Sequence, residues 1–383
     1  MKKTIFFTII MIFFSFVSVQ AAEDNKVDNV QNSNQMNNLI NYISNIKSED
    51  ELLKDIDAKT YIKDFLLSGK GNITSKKIVE SIINYAFKEI KTTIKLMGML
   101  VIICIISALL NNLQKAFSNE TLSNIAYFAC YSLLVVILSK SFLTGVDLAK
   151  NTISALCDFM AALMPVLMLL IAALGGISEA ATLDPVVIGT INICARLYVD
   201  VIIPIISLAF VLQFMNNISE DFKIKKLTKL MNHLALWAQG AIMTIFIGII
   251  TIRGITAKTI DEVTVKTAKY AMDSLIPIVG KSLSDAISAI AGYSILLKNA
   301  ISGLGLLIIA LIVLFPIIKL FIIAYIFKFT SALIEPICDT KMVDCINAAG
   351  DSLIIIMSCL ISVSVMFFIM IAIVASAGKM VMG

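Results

Sequence analysis

The stretch "LIPIVGKSLSDAI", residues 275–287, contains Gly280-Lys281-Ser282, the three residues that close a phosphate-binding P-loop. Such a loop also needs a glycine five positions earlier, so that successive N–H groups curl around the phosphates. That position is Leu275, and Pro277 has no N–H to offer. No strand-like run leads into the stretch. Gly280 and Lys281 therefore do not read as a nucleotide site.

The remaining candidates for chemistry are few. The single histidine, His233, leaves general-base and nucleophilic catalysis without their usual parts. Seven cysteines lie in or beside apolar segments and none forms a C-x-x-C, so no zinc site or disulfide framework is expected. Cys338 and Cys345 flank Asp339 and Asp344, a loop cluster without metal-ligand spacing. No catalytic residue, metal or cofactor is expected. Charges set in apolar surroundings are more informative. Arg196 and Asp200 are four residues apart, so on one α-helix they are expected to pair and lower the cost of entering lipid. Lys319 lies near one end of an apolar run, where a lysine snorkels to the interface.

Those residues must be held by a membrane protein. The chain of 383 residues is 58% hydrophobic and 15% charged, with a mean hydropathy of +0.92. No soluble core of this size hides so much apolar surface. The net charge of +4 is spread along the chain, with no basic, aromatic-interleaved stripe for nucleic acid. The reading is all-α: a polytopic helical integral membrane protein with a small helical extracytoplasmic N-terminal region.

The opening "MKKTIFFTIIMIFFSFVSVQAAED" has the basic end, apolar run and small residues (Val19, Ala21) of a secretory signal, giving residues 1–21 as signal and 22–95 as exported. A retained signal anchor is the alternative. Residues 23–35 read as a polar arm. Ser48 and Glu51 have capping-box spacing for a first helix, and a second is expected from Ser75. From residue 96 to 383 the chain reads as membrane domain. Runs near the roughly 20 residues a spanning helix needs are 96–113, 122–139, 159–178, 185–215, 234–252, 299–327 and 352–377, with 271–293 as a more polar eighth. Seven or eight spans are expected.

The prolines suggest a repeat. "ALMPVLMLL" (162–170) resembles "SLIPIVGKS" (274–282), and "IIPIISL" (202–208) resembles "LFPIIKL" (314–320). Pro165 to Pro204 and Pro277 to Pro316 are both 39 residues (204 − 165; 316 − 277). Units 155–254 and 267–366 follow, each with three apolar segments, so successive copies are expected to be inverted across the bilayer. Loops 216–232 and 253–270 each carry a net charge of +2, so the positive-inside rule does not choose an orientation.

The stretch "TAKYAMDSLIPIVGKSLSDAISAIAGYSILLKNAISGLG" (267–305), followed by "FPIIK" (315–319), resembles the stage III sporulation protein AE family, as do "ALMPVLMLLIAALGG" and the two helices before residue 96. The resemblance covers nearly everything after the signal. It implies a non-enzymatic membrane subunit of the channel, or secretion-like complex, that links mother cell and forespore and supports late forespore development. It further implies a multi-pass protein in the mother-cell membrane around the forespore. The implied partners are other products of the stage III sporulation A operon (a secretion-type ATPase and ring-forming proteins) and, through the ring, stage II sporulation protein Q. It carries no catalytic residue to this chain. Two rivals differ in class: a stand-alone secondary transporter, and a scaffold that only anchors ring and ATPase.

Overall fold

The structure, a computed structural model, describes residues 36, 38–43, 60, 62, 75–117, 120–174, 189–218, 224–275 and 280–376; for 75–78, 111, 113–117, 120–124, 126, 216–218, 253–275, 280–291 and 293 it describes backbone alone. The signal at 1–21 and the capping pair Ser48/Glu51 lie outside these residues, as does Pro277. Every described element is helical. In order they are α1 (Ser75–Phe117), α2 (Glu120–Ala173), α3 (Ile203–Ile218), α4 (Lys225–Leu275), α5 (Gly280–Ile334) and α6 (Thr340–Ser376). A π-helical turn, Leu197–Ile202, runs straight into α3.

Among the described residues six helices are long and apolar enough to cross a membrane. This is a polytopic helical membrane protein, and its described residues form fewer separate helices than the seven or eight expected. The expected segments 122–139 and 159–178 are the two ends of one helix, α2, of 54 residues. Segment 271–293 is divided: residues up to Leu275 close α4, and those from Gly280 open α5 and continue into 299–327. The second predicted helix does begin at Ser75, but it passes residue 96 without a break. The change from polar to apolar there is a change of solvent along one continuous rod.

Side-chain contacts fix the direction of each helix. Tyr85 stacks edge-on to Phe315 with centroids 4.5 Å apart, and Glu89 meets Lys319 four residues further along both chains, so α1 runs parallel to α5. Gly145 packs at Leu320 and Leu353 while Gly305 packs at Leu163, so α2 is antiparallel to α5. Phe142 stacks on Phe210 at 3.8 Å and Tyr131 donates to the Phe214 carbonyl at 3.0 Å, which sets α3 against α2. Lys225 reaches Asp344 at 3.8 Å and Gln239 reaches Cys359 at 3.2 Å, so α4 runs with α6. Direction alternates strictly, and the turns α1–α2, α3–α4 and α5–α6 share one end of the bundle.

That common end corrects the inverted repeat. Inverted copies put the loops 216–232 and 328–350 on opposite sides, whereas Lys225 and Asp344 bring them together. The hairpins α3–α4 and α5–α6 point the same way. The expectation failed because it counted 271–293, which lies between the two loops, as a separate crossing.

Membrane helices gain no hydrophobic drive by leaving lipid for one another, so small residues that permit close backbone approach do much of the packing. A Cβ on Gly350 of α6 would stand 2.9 Å from the Ala324 carbonyl oxygen of α5. α2 stays helical through Pro165 although that residue has no N–H for the Ala161 carbonyl. Leu163, Met164, Val166 and Leu167 are at most 1% exposed, so neighbours hold the helix around the missing bond. Pro316 lies in the same way inside α5. Upstream, Met36, Leu39, Ile43 and Ile62 are buried in the same core. Tyr42 donates to the Ala155 carbonyl at 3.3 Å.

Candidate functional site in the membrane core

Hydroxyls inside these helices are mostly satisfied within their own helix. Ser141, Thr152, Ser207, Thr330, Ser352 and Ser364 each donate to the carbonyl four residues back, at 2.6–3.1 Å. Polar side chains that bind across helices are the candidates for function; single contacts such as Ser352 to Gln213 at 3.4 Å occur, and three larger constellations are described below.

The first joins α5 to α1. Lys319 Nζ lies 3.5 Å from Glu89 Oε1, with the glutamate side chain 13% exposed. Both residues lie inside candidate spans, Ser294–Ile334 and Val79–Leu110. Lys319 was expected to snorkel; its charge is instead met inside the bundle. Glu89 was not picked out, because the polar start of α1 reads as extracytoplasmic and hides that this turn packs on α5.

The second joins α5 to α6. Lys328 Nζ stands 2.6 Å from Asp351 Oδ1 and 3.4 Å from Asn347 Oδ1. Asn347 Nδ2 in turn lies 3.4 Å from the other Asp351 oxygen. Both acidic and amide groups sit one turn apart on α6, beside the close approach at Gly350.

The third is a neutral seam where α3, α4 and α6 meet. Gln239, 4% exposed, places its side-chain oxygen 2.9 Å from Ser358 Oγ and its nitrogen 3.2 Å from Cys359 Sγ. Ser358 also lies 2.7 Å from the Ile355 carbonyl, and its one proton serves a single acceptor. Turning the amide over satisfies every group: Gln239 then donates to Ser358, Ser358 to Ile355, and the Cys359 thiol to the Gln239 oxygen. Tyr198, fully buried, donates to the Gln239 carbonyl at 3.3 Å. Neither glutamine nor serine stood out in sequence, since neither is charged.

Arg196 and Asp200 do not form the expected pair. Both side chains are exposed, and the described ion pairs join other residues. The i,i+4 argument assumes an unbroken α-helix, but the π turn opens at Leu197, directly after Arg196. Pro204 accounts for the widening. Its ring clashes with the carbonyl an α-helix would place four residues back, and Ile203 N–H reaches five residues back to Tyr198 instead.

Gly280-Lys281-Ser282 is helical, and residues 276–279 lie outside the described residues. Gly280 and Lys281 are the first two residues of α5, and position 275, where a P-loop needs its first glycine, ends the α-helix α4. Among the described residues no group of three or more His, Cys, Asp or Glu is placed to hold a metal ion. All seven cysteines are free thiols. On the α5–α6 turn, burial pushes the Cys338 thiol up from its ordinary range and Asp339 adds to the rise, while a hydrogen bond from Cys104 opposes them.

A model of the stage III sporulation protein AE family matches residues 56–378, which takes in all six helices and all three constellations. The chain belongs to that family. Within it, the stage III sporulation protein AE of Bacillus subtilis (strain 168) is 31% identical over 316 residues, spanning 82% of this chain and 79% of that protein. No solved structure matches the chain. Family membership ties the bundle to sporulation, and its polar contacts are those of a stage III sporulation protein AE set in a membrane.

Proposed function

We propose that this stage III sporulation protein AE is a non-enzymatic membrane subunit of the channel, or secretion-like complex, between mother cell and forespore. It lies in the mother-cell membrane around the forespore, multi-pass, with its exported N-terminal region outside the cytoplasm. Its partners are the operon's ATPase and ring-forming proteins, and stage II sporulation protein Q indirectly. The observation that carries this reading is the family match over residues 56–378, which covers six helices long and apolar enough to cross a membrane. The stand-alone transporter loses its main support, because the hairpins are not inverted.

The test is in-cell cross-linking and affinity purification of the tagged chain from sporulating cells. Co-purification of the ATPase and ring-forming proteins is the expected result. A chain recovered without them, which alone moves solutes when reconstituted in liposomes, overturns the proposal.

A further inference from the structure

We infer that the exposed face of α3 and the π turn before it is an interface between two copies of this chain inside the membrane, with Arg196 of each copy meeting Asp200 of the other. The outward stripe runs through Ile193, Arg196, Asp200, Pro204, Leu208 and Val211, three or four residues apart, as one helix face must be. Ile193, Leu208 and Val211 are 63%, 52% and 51% exposed. Lipid covers such apolar positions without cost, but not the two charges among them. Arg196 and Asp200 are the only charged residues in the candidate span Gly189–Met215. They pair neither with each other nor with any described residue. A charge facing hydrocarbon is expensive and is normally met by an opposite charge.

The pattern of the two charges selects the occupant. They are of opposite sign and about one helical turn, roughly 5.4 Å, apart in depth. A second copy in the same membrane sets like charges level with each other and unlike charges one turn apart on the diagonal, so that a two-fold contact joins Arg196 of each copy to Asp200 of the other. Each arginine spans one turn to reach the other copy's carboxylate, and both charges are neutralised. A different membrane protein would have to supply both signs at two matching depths. Pro204, outward-facing, adds no N–H or bulky chain to hold the backbones apart.

The experiment uses the full chain in its native membrane, with a photo-cross-linking amino acid at Leu208 and two distinguishable tags. A cross-linked species carrying both tags is expected. Arg196→Asp, placing two acids on each face, and Asp200→Arg, placing two bases, each abolish it when expressed alone. Co-expression of the two variants restores cross-linking between unlike chains, since each face then meets its opposite. The double exchange in one chain restores the contact whether the pair forms within or between chains, so co-expression decides: a pair within one chain gives no rescue by co-expression. That result, a cross-link to lipid only, or a cross-link only to another protein, overturns the inference. The charge-native chain is itself a test, because failure to cross-link to its own copy at Leu208 or Val211 is decisive even if a charge reversal prevents insertion.

Discussion

Lys319 and Glu89 tie the fifth helix to the first, nitrogen to oxygen at 3.5 Å, and Tyr85 packs edge-on against Phe315 one turn away on the same two helices. Removing one charge leaves the other in the apolar span. An unpaired charge at a helix centre costs about 2.5–3.5 kcal/mol on insertion scales, and less here because Glu89 lies in the charge-rich first half of α1 rather than at its apolar centre. Lys319→Met or Glu89→Gln alone is expected to lower the amount of protein in the membrane and its melting temperature in detergent. Exchanging the two residues should restore both. Losses of equal size in the single and exchanged chains would show that the contact is not an ion pair.

The glycines separate two kinds of close contact. A methyl group at Gly350 meets the Ala324 carbonyl oxygen at 2.9 Å, and a helix backbone cannot yield alone. At Gly145 the nearest atoms are the flexible tips of Leu353 and Leu320, at 2.6 and 3.0 Å. Gly350→Ala is therefore expected to destabilise by about 1–3 kcal/mol, the usual cost of overpacking. Gly145→Ala should cost clearly less in the same thermal-unfolding measurement. An equal or reversed order would refute the α5–α6 crossing described.

Gln239 distinguishes packing from passage. Membrane hydrogen bonds average only about 0.6 kcal/mol in stability, so Gln239→Leu should leave the melting temperature nearly unchanged. If the seam between α3, α4 and α6 serves the sporulation role, spore yield falls in that variant while protein level holds. A variant that keeps both assigns the seam to packing alone.

Topology gives a direct measurement. In a cysteine-free background, single cysteines at Lys226 and Thr340 are expected to react with an impermeant reagent from the same side of the membrane. One at Ser376 should react from the other. Labelling of Lys226 and Thr340 from opposite sides would reinstate inverted copies and contradict the Lys225–Asp344 contact.

The Cys338 thiol has its own pH signature. A raised pKa means less thiolate at any given pH, and the thiolate is the reactive species. Alkylation at Cys338 in an otherwise cysteine-free chain should be slower near neutrality than for a free cysteine, and should keep accelerating above the pH where free cysteine levels off. A rate and pH midpoint matching free cysteine would count against the partial burial of Cys338 on this turn.

The class of fold was readable because apolar runs of spanning length leave no other solvent, and Ser75 marked the start of α1 correctly. The continuity of α2 was also written in the chain and was missed. Lys140, Thr144, Asp147, Asn151, Ser154 and Asp158 are all exposed at spacings of three or four, with Phe142, Val146, Ala149 and Ile153 buried between them. That is an amphipathic helix, which a search for apolar windows takes for a loop. Long-range partners were out of reach. Nothing local links Glu89 with Lys319, and only the π turn before Pro204 explains why Arg196 and Asp200, adjacent on an α-helix, remain apart.

Helix length has a mechanical consequence. α2, α4 and α5 contain 54, 51 and 55 residues; at 1.5 Å per residue they measure roughly 77–83 Å, against a hydrocarbon core of about 30 Å. Each rod must stand some 50 Å clear of the core, counting both sides together. If most of that overhang is on one side, a change of about 10° in tilt, half the average for membrane helices, swings its far end sideways by roughly 9 Å. Small rotations within the lipid thereby become displacements of several ångströms at the far ends of these helices, on the order set by helix length and tilt.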